Sequence, residues 1–175
     1  VIAMFFFYVI NYYFGDTRSE RGMEWGCGTG RVGMNLVNEF ESLLFMDTSE
    51  NMLDIVKKKI TDVGALNART LCFDFESSSQ PDLRADYIFM AQVLLHIQDY
   101  EAVLAKLHAV LNDEGHLLIV DFNKNDKVVS ELVHNGFDQE QLKALMLKIG
   151  FKDIRSKTIY SGTKLFMNQD ASLFI

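Results

Sequence analysis

The sequence predicts a three-layer α/β domain on a mostly parallel sheet, and two stretches carry that prediction. The first is Glu24-Trp25-Gly26-Cys27-Gly28-Thr29-Gly30-Arg31, three glycines at every second position behind an acidic residue. A short apolar lead-in precedes it, and Val32, Leu36, Val37 and Phe40 recur after it at helical spacing. A strand, a Gly-rich turn and a helix are therefore expected. Glycine allows a sharp turn at positive φ and a close approach of backbone to ligand, while the first N–H groups of the following helix suit an anionic or polar group. The second stretch is Ser42-Leu43-Leu44-Phe45-Met46-Asp47, an apolar strand ending on a carboxylate 17 residues after Gly30. An acid at the end of a second strand is placed to accept hydrogen bonds from two ribose hydroxyls.

Composition narrows the class. The 175 residues are enough for one domain with a proper core, read as a single unit over 1–175 with an N-terminal apolar helix and loop over 1–21. At 49% hydrophobic and 23% charged the chain reads as a globular protein, and a net charge of -7 argues against a nucleic-acid groove. The lysine run Lys57-Lys58-Lys59 lies beside Asp54 and Asp62 and reads as a solvated helix face. Cys27 and Cys72 have neither metal-ligand spacing nor a disulfide framework, which points to a reduced, cytoplasmic setting. No pair of histidines has the spacing of a zinc helix, so no metal is expected.

Taken in order, residues 1–14 are almost wholly apolar but fall short of the roughly 20 needed to span a bilayer. They lack the basic start and cleavage site of a signal peptide and are read as a helix buried against the sheet. The chain begins on Val1 rather than Met, so upstream residues are expected to be missing. Residues 15–21 form a polar loop and 22–25 the first strand, where Trp25 is a core residue and a potential reporter of ligand binding. After Asp47, Thr48 or Ser49 caps a helix with Met52, Leu53, Val56 and Ile60 on its apolar face. Residues 68–73 are the third strand, ending at Asp74 and Phe75 before a polar turn over 76–79. Residues 85–90 are a fourth, apolar strand that runs into a segment carrying His96.

Asp99 then caps a helix with Val103, Leu104, Leu107, Val110 and Leu111 on one face, and 116–122 is the fifth strand after Gly115. A polar stretch follows, with His134 in the segment 133–137. Loops of this kind emerge at the carboxyl ends of strands, where open α/β sheets bind ligands. Asp138-x-x-Gln141 is a capping box for a helix through Ile149, and strands over 154–160 and 171–175 are joined through Gly162 and Asn168.

On Glu24-x-Gly26-x-Gly28-x-Gly30 followed by Asp47-x-Ser49-x-x-Met52-Leu53, the chain resembles the class I S-adenosylmethionine-dependent methyltransferases. The resemblance implies a Rossmann-like methyltransferase fold, with a seven-stranded sheet and an antiparallel C-terminal strand. It implies S-adenosyl-L-methionine as cofactor, its methionine part held by the backbone around Gly26, Cys27, Gly28 and Gly30, and its ribose by Asp47 with Thr48 beside it. Asp74 and the Phe75 N–H would meet the adenine, and the carbonyls of Met90 and Ala91 the methionine amino group. Glu24 would order the loop. Met52 reads either as core packing or as a contact under the adenine, and Asp74 either as an adenine partner or as the cap of the next turn. The post-strand segment Met90-Ala91-Gln92-Val93 lacks the Asn/Asp-Pro-Pro-aromatic turn of enzymes that modify exocyclic amines of DNA bases or protein glutamine, which points to a different acceptor.

Methyl transfer to a small-molecule acceptor by in-line displacement is the function these features imply. Catalysis would come from positioning, with His96 as a candidate base that reads more readily as a hydrogen-bonded structural residue, and His134 as a second candidate contact that reads at least as well as an exposed loop residue without a role. Two alternatives stand beside it. A nicotinamide-dependent oxidoreductase also uses a Gly-rich turn, but its fingerprint needs Gly or Ala where this chain has Arg31. A cofactor- or partner-binding module of the same fold would need no catalytic residue. Acceptor and oligomeric state are not readable from the sequence.

Overall fold

The computed structural model describes residues 2–76 and 82–175, so the expected turn over 76–79 lies largely outside the described residues. The chain is α/β. Its strands β1 (Arg21–Trp25), β2 (Ser42–Asp47), β3 (Ala68–Cys72), β4 (Ala85–Ala91), β5 (Leu111–Phe122), β6 (Thr158–Phe166) and β7 (Gln169–Phe174) form one seven-stranded sheet in the order β3-β2-β1-β4-β5-β7-β6. β1 pairs in parallel with β2 and β4, and β2 in parallel with β3. β7 is antiparallel to both β5 and β6. This is the Rossmann-like methyltransferase topology expected from the sequence.

The chain divides into two compact units, Val1–Ala91 with Val110–Leu118, and Gln92–Ala109 with Ile119–Ile175. In the first, β2 and β4 are buried along most of their length, as unbroken apolar runs in parallel strands should be. Phe45, Met46, Ile88, Phe89 and Met90 are fully buried. Helix α2 (Glu50–Val63) buries Leu53 and Val56. Its N-terminus is capped by Ser49, whose side chain accepts from the Met52 N–H, and it ends at Gly64 with φ 66°.

The structure departs from three local expectations. Val32, Leu36, Val37 and Phe40 do not lie on an α-helix; the stretch forms two single 3-10 turns, Gly33–Asn35 and Val37–Glu39. Gly33, Asn35 and Asn38 have low helix propensity, and the Gly33 N–H is taken by the side chain of Glu24. Leu36, Val37 and Phe40 are buried all the same, so the apolar spacing serves packing without a helix. At the N-terminus, α1 (Ile2–Val9) continues into a π turn over Ile10–Phe14. Only part of it is buried: Phe6 and Ile10 are enclosed, with Phe6 against Phe89, while Met4, Phe7, Tyr8, Tyr12 and Tyr13 are exposed. Finally, helix α3 (Tyr100–Val110) stops before Leu111, where β5 begins. Asn112 donates to Asp86 at the start of β4, a carboxylate that also receives the Arg21 N–H, and this draws the chain into the sheet. No helix among the described residues is long and apolar enough to cross a membrane.

In the second unit α4 (Gln139–Ile149) is capped by Asp138, which accepts from the Gln141 N–H. The Phe122 and Phe166 rings stack at 4.2 Å. The β6–β7 hairpin turns on Met167 and Asn168, with φ 49° and 61°, while Gly162 sits inside β6 opposite Ala171 at a register shift. Of the two residues expected to join the strands, Asn168 lies in the turn and Gly162 does not. Two residues at positive φ match the right-handed twist of the flanking strands, and Asn tolerates that conformation better than most residues. Asn168→Val is expected to lower stability by about 1–2 kcal/mol and Asn168→Gly to change it by less than about 0.5 kcal/mol, read as midpoints of urea unfolding.

Candidate functional site

β1 delivers the chain into the glycine turn. Gly26, Gly28 and Gly30 have φ of 65°, 51° and 72°, as the alternate spacing requires. The turn is fastened to its neighbours. The Cys27 N–H donates to the Met46 carbonyl on β2 at 2.9 Å, the Gly30 N–H to the Cys27 carbonyl at 2.8 Å, and the Lys59 Nζ of α2 to the Thr29 carbonyl at 2.7 Å. At Gly28 a Cβ would meet no atom within 4 Å, so the turn keeps an open face there.

Two carboxylates organise this loop in different ways. Asp47, half-buried at the end of β2, accepts the Gly28 N–H at 2.7 Å through Oδ2 and the Ser49 N–H at 2.9 Å through Oδ1. A carboxylate carries about four lone-pair sites, so capacity remains on both oxygens. Glu24 is buried, and its Oε2 accepts the Gly33 N–H at 3.0 Å. At Gly33 a Cβ would collide with that oxygen and with the Phe45 ring, so only glycine fits. Burial pushes the Glu24 carboxyl up to about 8; the Gly33 N–H opposes this, the negative charge of Asp47 adds to it, and Lys59 opposes it. The Cys27 thiol is pushed far up by burial and then by Glu24 and Asp47, which makes it a poor nucleophile.

The remaining expected cofactor residues lie in the same unit. Thr48 is exposed, and Met52 is 40% exposed on α2 rather than packed in the core. Asp74 accepts the Glu76 N–H at 2.8 Å. Phe75 is fully buried, edge-on to Trp25 at 5.6 Å and to Phe73 at 5.1 Å. Met90 is buried at the end of β4 and Ala91 is half-buried. Glu24, Gly26, Cys27, Gly28, Gly30, Asp47, Thr48, Met52, Asp74, Phe75, Met90 and Ala91 all occupy the carboxyl ends of β1–β4 or the chain just beyond them.

His96 and His134 belong to the second unit. His96 is exposed on the 3-10 turn Leu94–His96. His134 is half-buried: its Nε2 bonds the Ile97 carbonyl at 2.7 Å, its N–H donates to the Leu95 carbonyl at 2.8 Å, and its ring meets the Tyr100 ring edge-on. A further group escaped the sequence reading. Asp121 on β5 is fully buried and accepts the Leu95 N–H at 3.2 Å and the Phe122 N–H at 2.8 Å. Burial pushes its carboxyl up to about 7, against the bonds from Phe122, Leu95 and Leu94. The available signal was an acid inside the apolar strand run Leu117-Leu118-Ile119-Val120-Asp121-Phe122. Among the described residues no cluster of three or more His, Cys, Asp or Glu forms a metal site.

The family pattern described as "Methyltransferase domain" matches residues 7–156. The ubiquinone/menaquinone biosynthesis C-methyltransferase UbiE of Azotobacter vinelandii is 25% identical over 182 residues, covering 85% of this chain and 72% of its own. Among solved structures, the N-methyltransferase NodS of Bradyrhizobium japonicum in complex with S-adenosylhomocysteine superposes with a TM-score of 0.78 at 14% identity, covering 99% of this chain and 83% of that one. Phosphoethanolamine N-methyltransferase 2 of Haemonchus contortus, solved with phosphomonomethylethanolamine and S-adenosylhomocysteine, gives 0.76 at 19% identity; the match covers 87% of this chain but 38% of that one. These structures share the fold.

The two raised carboxyls set a pH dependence. Each binds its proton more tightly folded than unfolded, so the stability they lend is complete below the ordinary carboxylate range and is lost as pH rises through about 7 for Asp121 and about 8 for Glu24. Glu24→Gln keeps an acceptor for the Gly33 N–H but buries no charge. The wild-type thermal midpoint is expected to fall by about 5 °C or more between pH 6 and pH 9, and the variant's by about half as much. Equal falls would contradict the assignment.

Proposed function

The chain belongs to the methyltransferase domain family, and on that premise we propose that it transfers the methyl group of S-adenosyl-L-methionine to a small-molecule acceptor. The observation that carries this reading is the junction of Gly28 and Asp47: a positive-φ glycine with an open face, its N–H held by a carboxylate that retains lone pairs. That combination fits a nucleoside, whose ribose offers two hydroxyl donors and whose attached chain needs close backbone approach.

In this reading the backbone of Gly26, Cys27, Gly28 and Gly30 holds the methionine part, and Asp47, with Thr48 beside it, receives the ribose hydroxyls. Met52 and Phe75 border the adenine, Asp74 accepts from its amino group, and the Met90 and Ala91 carbonyls accept from the methionine ammonium. Glu24 orders the loop through Gly33 without touching the ligand. Bound S-adenosyl-L-methionine supplies an electrophilic methyl carbon on a sulfonium. The chain's own part is to hold both partners at near-attack distance and to keep water away. His134 is the first candidate to take a proton. Its Nε2 faces a carbonyl and so carries the hydrogen, which leaves the lone pair on Nδ1 of the neutral ring. His96 is the second candidate. The acceptor class follows the relatives' names: a quinone-type ring, as in the C-methyltransferase, or a small amine, as in the N-methyltransferases. With both cysteines free, a reduced, cytoplasmic setting is part of the proposal.

Calorimetric titration tests it. S-adenosylmethionine and S-adenosylhomocysteine are expected to bind at micromolar Kd, with a change in Trp25 fluorescence, and Asp47→Ala to weaken both at least ten-fold, about 1.4 kcal/mol. Release of S-adenosylhomocysteine with a small hydroquinone or phosphoethanolamine as probe then reads turnover. Tighter binding of NADH, or no effect of Asp47→Ala, would contradict the reading; cofactor binding without turnover on any acceptor would favour the binding-module alternative.

A further inference from the structure

The chain that leaves the carboxyl end of β4, residues 92–97, is held at several points within its own unit. Gln92 has φ 56°, a left-handed conformation for a residue with a side chain, and its N–H donates to the Val120 carbonyl at 2.7 Å. Leu95 donates its N–H to Asp121 at 3.2 Å, and Leu94 bonds the same carboxylate. From His134 come two more bonds: its main-chain N–H to the Leu95 carbonyl at 2.8 Å and its ring Nε2 to the Ile97 carbonyl at 2.7 Å. The His134 ring is itself steadied by Tyr100 at 5.2 Å and Phe137 at 5.9 Å. A strained backbone of this kind persists only where its surroundings over-determine it.

A fully buried carboxylate is a costly way to satisfy main-chain N–H groups, and an apolar side chain of similar volume often packs better. What the carboxylate adds is direction: Oδ1 is fixed by the Phe122 N–H, and Oδ2 fixes Leu95. Segments that leave the carboxyl ends of strands are where α/β sheets contact ligands. We propose that Asp121 and His134 are positioning residues that hold residues 92–97 in one conformation for contact with the methyl acceptor. The acceptor role rests on the methyl-transfer reading above; the clamp itself does not.

Hydrogen–deuterium exchange on the full chain separates the two. Asp121→Asn and His134→Phe are expected to speed exchange over residues 92–97 at least ten-fold. Residues 171–174 of β7 and 26–30 of the glycine turn should change less than two-fold, as should the Kd for S-adenosylhomocysteine. His134→Gln, whose amide can donate to the Ile97 carbonyl, should regain most of the protection. Turnover with the hydroquinone probe should fall about ten-fold in Asp121→Asn, a change at a residue with no part in the proton transfer proposed above. Unchanged exchange over 92–97, or an equal rise through β7, would overturn the clamp. Faster exchange with normal turnover would overturn its acceptor role. A wild-type chain that binds no S-adenosylmethionine would overturn the methyl-transfer reading, and the acceptor role with it, while the exchange pattern still decides the clamp.

Discussion

The bond from the Gly33 N–H to the buried carboxylate of Glu24 is the contact on which the glycine turn depends. It joins the end of β1 to the chain nine residues later, and it does so inside an apolar shell that includes Phe45. Removing the acceptor would leave a buried N–H unsatisfied, whereas adding any side chain at Gly33 would drive out the carboxylate. With the turn closed in this way, Lys59 and the Met46 carbonyl fix its far side, and Gly28 is left presenting its N–H to Asp47. Two acids thus divide the work. One is buried and structural, and it lowers stability at high pH; the other is half-buried and keeps free lone pairs.

Much of this was legible in the sequence because it rests on local signals. The three alternating glycines announce three positive-φ residues, and unbroken apolar runs announce β2 and β4. Asp99 and Asp138 announce the helices they cap. What was misread depends on contacts between distant residues. Nothing in the spacing of Val32, Leu36, Val37 and Phe40 reveals that Glu24 takes the N–H of Gly33, and without that bond the periodicity reads as a helix. Leu111 fits the face of α3 by spacing, but Asn112 is claimed by Asp86, so the strand starts early. In the hairpin, Gly162 and Asn168 both read as turn residues, and it is Asn168, with Met167, that carries the positive φ.

The site was legible in the same uneven way. Residues that act through backbone or through an acid at a strand end follow from pattern, and they fall together in one compact unit. Met52, apolar on a helical face and so open to a core reading, is 40% exposed instead. His134 read equally well as an idle loop residue, yet it makes two bonds to the chain after β4. Asp121 lay unremarked inside the strand run 116–122, and only its burial and its N–H partners distinguish it.

Asp47, and not Glu24, is the acid proposed to meet the nucleoside above the glycine turn. A crystal structure of the chain with S-adenosylhomocysteine tests it most directly. Both ribose hydroxyls are expected within hydrogen-bond distance of the Asp47 carboxylate, with Glu24 still bonded to the Gly33 N–H and out of contact with the ligand. A ribose placed away from Asp47, or a Glu24 carboxylate turned from Gly33 onto the ligand, would contradict it.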